Sequence, residues 1–191
     1  MPFTLADAHA SGRRSVLPAC GMTPFACIFV VFTFVFCNFA LERIVMLKLV
    51  SPVISPELMA LMMQMGHGDE IVLADANFPA DSHAQRIVRA DGIDLETLLP
   101  AILKFLPVDT FVPEQALVMQ PVDKSAPEPV IWAMFRKELQ IAEDREVKLT
   151  PVERFAFYDR AREAYAIVST GSRAFYSNII LKKGVVSPDA K

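Results

Sequence analysis

Five short apolar runs limit what this chain can fold into more than any other feature: residues 71–74 (IVLA), 87–89 (IVR), 116–119 (ALVM), 165–170 (YAIVST) and 179–181 (IIL). Each is too short for a helix, and most stop at turn formers: Asp75, Asp91-Gly92, Gly171 and Lys182-Lys183-Gly184. Such runs read as strands buried on both faces. Helical patterns lie between them. Ser55-Pro56-Glu57 opens the first, with Ser55 as cap, Pro56 suited to the first helical position and Glu57 suited to the positive end of the dipole. Leu58, Leu61, Met62 and Met65 follow at helical spacing, and Gly66 is expected to end the helix. Residues 95–105 carry Leu95, Leu98, Leu99, Ile102 and Leu103, with Asp94 as cap and Pro100 predicting a kink. Residues 130–142 place Trp132, Phe135 and Leu139 on one face, and 155–164 form a further helix candidate. Short buried strands alternating with helices predict an α/β fold, a three-layer α-β-α sandwich with a mainly parallel sheet.

The first 45 residues do not share this pattern. Residues 15–41 carry no charge, and 24–41 (PFACIFVVFTFVFCNFAL) are about long enough to cross a bilayer, which takes roughly 20 apolar residues. Arg13 and Arg14 precede the run, as basic residues precede an anchor or signal. The alternative is translation from Met46, where MLKLVSPVISPELM reads as a natural N-terminus. Residues 1–45 are therefore set apart as a hydrophobic extension, and 46–191 are read as the domain. Cys20, Cys27 and Cys37 all lie in the extension, so the domain has neither a disulfide framework nor a thiolate zinc site. A cysteine-free domain suits initiation at Met46 and a cytoplasmic product, with membrane anchoring through 24–41 as the alternative. The whole chain carries −3. The extension holds three arginines against two acids, so the domain carries −4. A mildly acidic surface gives nucleic acid no electrostatic hold.

Gly66-His67-Gly68-Asp69-Glu70 is the most pointed chemical feature. A histidine between two glycines sits at a helix-to-strand turn that a substrate can approach closely, and its side chain titrates near neutrality, as acid–base work requires. Asp75, eight residues on at the far end of the strand, is its expected partner. Against this stands the plainer reading of His67 as a polar turn residue. A metal bound by His67, Asp69 and Glu70 is not expected, because three neighbouring residues rarely face one ion and His83 lies in a polar loop. Arg154, opening RFAFYDRAREA, is a candidate ligand for a hydroxyl or carboxylate, against the plainer reading of a solvated helix face; Tyr176 and Asn178, before the last strand, are candidate sugar ligands, against the plainer reading of turn residues. Tyrosine stacks on the apolar face of a sugar ring and asparagine pairs with neighbouring hydroxyls. Because Tyr176 and Asn178 lie in a loop, their loss is expected to weaken binding more than folding. The seven glycines form no GxGxxG loop, and the domain has no GxSxG elbow.

The strings LVSPVISPELM, MGHGDEIVLADANFPA, IVRADGIDLETLLPAIL, RFAFYDRAREAYAIVSTG and YSNIILKKGV, in that order over residues 46–186, resemble the family of ribose pyranases and fucose mutarotases. GHGDE, RADG and FAFY followed by KKGV look like its fucose branch. The resemblance implies anomer exchange on a free monosaccharide, L-fucose or alternatively D-ribose, with His67 as the acid–base residue. It further implies that Asp75 binds the sugar or positions the histidine, that Arg154, Tyr176 and Asn178 bind the sugar, and that the chain forms closed homo-oligomers with sites completed at subunit contacts. Ser177 departs from the glycine or alanine common in the family. Ring opening and closing needs two proton transfers and moves no electrons, so no cofactor is expected. A monosaccharide-binding module without turnover is the rival reading.

Overall fold

A computed structural model describes residues 47–186. The apolar run, the three cysteines and Met46 lie outside the described residues. Among the described residues no helix is long and apolar enough to cross a membrane. The elements are α1 (Pro56–Gln64), β1 (Glu70–Ala74), α2 (Ala80–His83), β2 (Ile87–Ala90), α3 (Leu95–Ile102), β3 (Ala116–Met119), α4 (Val130–Glu143), β4 (Leu149–Val152), α5 (Arg154–Glu163), β5 (Ala166–Thr170) and β6 (Ile179–Lys182).

The strands form one six-stranded sheet in the order β2-β5-β1-β6-β3-β4. β2, β5 and β1 pair in parallel, as do β3 and β4, while β6 runs antiparallel between β1 and β3. The mainly parallel α/β sheet is therefore present, joined at its centre by one reversed strand. All residues of β1, β3 and β5 are buried, which explains their apolar runs IVLA, ALVM and AIV, with only Glu70, Ser169 and Thr170 polar at the strand ends. Ile71 and Leu73 of β1 enter the larger core with Leu58 of α1, Leu98 of α3 and Phe135 of α4. Val72 and Ala74 point the other way, into a second core with Ala80 of α2 and Phe157 and Ala161 of α5. Helices thus cover both faces, giving three layers. Phe135 and Phe157 are fully enclosed, and truncating either to alanine costs about 3–5 kcal/mol.

Three local expectations need correction. α1 does start as read, with the Leu58 N–H donating to Ser55 Oγ at 3.1 Å. It ends at Gln64, however, with Met65 extended at ψ 136, so Gly66 is not its left-handed cap; the left-handed glycine is Gly68 at φ 87. Asp94 occupies the N-cap of α3, but its side chain makes no capping bond; its carbonyl accepts the Thr97 and Leu98 N–H groups instead. The helical pattern read to residue 105 closes at Ile102, two residues after Pro100, and the Phe105 and Leu106 N–H groups turn back onto the Ile102 carbonyl. The unforeseen strand β4 contains Pro151, tolerated because β4 lies at the sheet edge.

Candidate active site

The carboxyl ends of parallel strands are where α/β sheets bind ligands, and Asp75 follows β1 there. A cavity of about 360 Å³ opens at this edge, lined by Asp75, Asn77, Phe78, Met119, Val122, Arg154, Tyr158, Phe175, Tyr176 and Asn178. Asp75 and Asn178 are both buried and hold each other twice. The Asp75 N–H donates to Asn178 Oδ1 at 3.0 Å, and Asn178 Nδ2 donates to Asp75 Oδ2 at 2.6 Å. Asp75 Oδ1 accepts the Asn77 N–H at 2.9 Å. Burial pushes the Asp75 carboxyl above its usual range, and the bonds from Asn77, Asn178 and Phe78 offset this only in part. Asn178 is thus no free loop side chain: reversing direction into β6 beside β1 brings it against Asp75.

Tyr176 sits two residues earlier with a left-handed backbone, φ 58, a sparsely populated region for a bulky residue. Its hydroxyl oxygen accepts the Val122 N–H at 3.2 Å. Arg154 begins α5, where the Glu153 side chain accepts the Phe155 and Ala156 N–H groups. The guanidinium lies over the Phe155 ring, 4.7 Å from its centre. Its Nε is buried without a hydrogen-bond partner among the described residues, and the residue lines the cavity wall. Acceptors on Asp75, a donor on Arg154 and tyrosine hydroxyls, set beside Phe78, Met119 and Phe175, suit a ring with a polar rim and apolar faces.

His67 is not in this cavity. It precedes β1, whereas Asp75 follows it, and the intervening extended chain separates them by roughly 20 Å. The pairing expected of His67 and Asp75 is therefore not made within one chain. The histidine instead meets a residue that sequence reading passed over: His67 Nε2 lies 3.4 Å from Asp109 Oδ1. The His67 side chain is 49% exposed and that of Asp109 only 2%. Burial would raise the Asp109 carboxyl, but the Phe111 N–H, the His67 ring and the Thr110 N–H outweigh it and hold the carboxyl below its ordinary range. The exposed Phe111 packs its ring edgewise on the imidazole at 5.7 Å. The turn is locked by Asp69, whose Oδ2 accepts the Gly66 N–H at 2.7 Å.

Glu70 has a separate task. Arg160 grips it with bonds of 2.7 and 2.6 Å, and Lys182 Nζ lies 3.1 Å away. Its burial opposes ionisation, yet the two cations prevail and keep its carboxyl below the usual range. Asp69 and Glu70 are thus each engaged by other groups, the Gly66 N–H and the Arg160 and Lys182 cations. His83 bonds Ser82 and Arg162 instead, at 2.8 and 2.9 Å. A further cavity of about 370 Å³ beside α1, walled by Val50, Pro56, Met59 and Met63, holds no titratable group. The sequence reading also missed Tyr158, which the helical turn of α5 brings to the same cavity as Arg154; its spacing of four residues from Arg154 was the available signal.

The model of the RbsD / FucU transport protein family matches residues 48–186. The chain is 48% identical over 148 residues to the fucose mutarotase of Mus musculus, spanning 74% of this chain and 96% of that one. It is 44% identical over 140 residues to the L-fucose mutarotase of Histophilus somni (strain 2336), spanning 73% and 97%. The crystal structure of the fucose mutarotase from Streptococcus pneumoniae in complex with L-fucose aligns with a TM-score of 0.69 at 42% identity, over 74% of this chain and 100% of that one. Every strand and helix described above lies within the matched residues, so the chain belongs to the RbsD / FucU family.

Proposed function

We propose that this protein is an L-fucose mutarotase, a cofactor-independent isomerase that interconverts the α and β anomers of the free sugar, acting as a homo-oligomer with sites shared between subunits. The carrying observation is the cavity built by Asp75, Arg154, Tyr176 and Asn178 in a chain 44% and 48% identical to mutarotases of this sugar. The sugar lies against Phe78 and Met119, with Asp75 accepting from its hydroxyls and Arg154 donating to them. L-Fucose is favoured over D-ribose because the Bacillus subtilis RbsD complexed with D-ribose is only 20% identical.

The reaction moves two protons. One group takes the proton of the anomeric hydroxyl while another protonates the ring oxygen; the ring opens, the aldehyde rotates, and the ring closes on its other face. His67, oriented by Asp109, performs one transfer and reverses it on closure. A bound water or a tyrosine of the cavity, Tyr158 or Tyr176, performs the other. General acid–base help of this kind gives about 10²–10⁴-fold over water.

Because His67 cannot reach its own chain's cavity, a second subunit brings its His67 edge over that cavity. Exposed aromatic side chains stand at both places: Phe111, 75% exposed, beside His67, and Phe175, 85% exposed, beside Tyr176. Exposed aromatic side chains of this sort are enriched at the centre of subunit contacts. Saturation-transfer NMR on L-fucose and D-ribose tests the activity. Exchange faster than in buffer alone, and faster on fucose, is expected; none would sink the proposal. Mixed oligomers reassembled from His67→Ala and Tyr176→Ala chains test the sharing. Each variant alone is slow, and mixing should restore part of the rate, since some sites then receive both intact halves.

A further inference from the structure

The end of β6 lies between the two segments that carry His67 and Asp109. On one side the Gly68 N–H donates to the Lys183 carbonyl at 2.9 Å, and the Lys183 N–H donates to the Asp69 carbonyl at 2.8 Å. On the other side the Asp109 N–H donates to the Lys182 carbonyl at 3.0 Å, and the Gly184 N–H to the Pro107 carbonyl at 2.8 Å. Val108 and Lys183 form a bridge there. The two segments thus flank one strand end, roughly 10 Å apart, or two strand spacings. Their side chains narrow the gap to 3.4 Å. α4 steadies the Asp109 segment from outside: Glu143 Oε1 accepts the Val108 N–H at 2.8 Å.

Gly184 stands where this arrangement is tightest. A Cβ there would lie 2.9 Å from the Cα and N of Asp109 and from the carbonyl carbon of Val108. All three are backbone atoms, so no rotamer relieves the contact. Gly184 is not among the left-handed glycines, so its residue type answers to space and not to torsion.

We propose that Gly184 is a positioning residue for the acid–base pair: lacking a side chain, it lets the Asp109 segment close on the end of β6, and that closure sets the His67–Asp109 contact. The inference rests on the role proposed for His67. An alanine methyl must push the segment out by about 0.5 Å to reach ordinary van der Waals distance. The 3.4 Å contact is already long and has no such margin.

The test uses the full chain. Gly184→Ala is expected to lower kcat for fucose anomer exchange about tenfold, with KM within about twofold, since a small misplacement of an acid–base group reaches that size. The imidazole ¹⁵N shifts of His67 report the contact whether or not the histidine takes part in turnover. In Gly184→Ala they should move toward those of Asp109→Asn. The double variant Gly184→Ala/Asp109→Asn should be no slower than Asp109→Asn alone, because both changes remove one contact. Asp109→Glu, whose side chain is one methylene longer, should recover part of the rate when added to Gly184→Ala. Unmoved imidazole shifts, additive losses, or a Gly184→Ala chain that does not fold would each overturn the positioning role, the last by making Gly184 purely structural. If His67→Ala kept full exchange while Gly184→Ala still moved the imidazole signal, the role of His67 would fail and the spacing by Gly184 would stand.

Discussion

Asn178→Ala tests the cavity floor most directly. The change removes both bonds that tie Asn178 to Asp75, at 3.0 and 2.6 Å. The first strands a buried backbone N–H, which costs about 1–3 kcal/mol. The second removes a hydrogen bond to a charged group, worth about 1.5–3 kcal/mol. Water entering from the adjoining cavity recovers some of this, so a loss of about 3–4 kcal/mol is expected. For a chain of this length that lowers the melting temperature by roughly 10 °C. Binding and folding are therefore expected to separate better at Tyr176, whose hydroxyl accepts only from the exposed Val122 segment among the described residues although its ring packs on the second core, than at Asn178. A second readout has a definite sign. Burial raises the Asp75 carboxyl, and the Asn178 amide is among the bonds that restrain the rise, so Asn178→Ala should push it higher still. A folded-state value above the unfolded one means that the native protein binds the extra proton. Stability is then fullest below the unfolded value and falls as pH rises through the raised one. Thermal melts followed by circular dichroism, with ¹³C titration of the Asp75 carboxyl, measure both. A melting temperature within about 2 °C of wild type, or a downward move of the carboxyl, would refute the reasoning.

Three further outcomes are expected. His67→Ala should slow anomer exchange at least about tenfold with little change in melting temperature, because its side chain is half exposed; saturation-transfer rates and melts check this. Glu70→Gln should cost about 2 kcal/mol, between a surface and a buried ion pair. Since the Glu70 carboxyl is held below its unfolded value, that stability is present above the unfolded value and lost as pH falls through the lowered one, so urea melts across acid pH should converge for variant and wild type. The 46–191 fragment should fold and exchange fucose anomers at the rate of the full chain, as the matched family region begins at residue 48; parallel melts and NMR rates decide it.

The sheet was legible in the sequence because its central strands are buried on both faces, and continuous apolar runs such as IVLA and ALVM leave few alternatives. β4 was hidden because an edge strand need not be apolar, and LTPV contains a proline. The GHGDE turn marked His67, yet its partner could not be read by proximity along the chain. Asp75 is near His67 in sequence and a full strand away in space; Asp109 is 42 residues distant and in contact. Local patterns report neighbours along the chain, whereas the pairing of Val108 with Lys183 is set by sheet register. Asn178 was recognisable as a site residue, but its structural bond to Asp75 depends on β6 running beside β1, which no local signal encodes.

The place of β6 bears on how the molecule comes together during synthesis. It is the last strand among the described residues but lies between β1 and β3, so the sheet consists of two parallel blocks that share no ladder until residues 179–182 arrive. While the nascent chain lengthens, β1 and β3 each keep an unpaired apolar edge, the kind that recruits other chains. Folding of this domain is therefore completed only after its C-terminal strand is free to enter. Stop codons or insertions placed within residues 179–182 should be far more damaging to yield than changes of the same size in the edge strand β4.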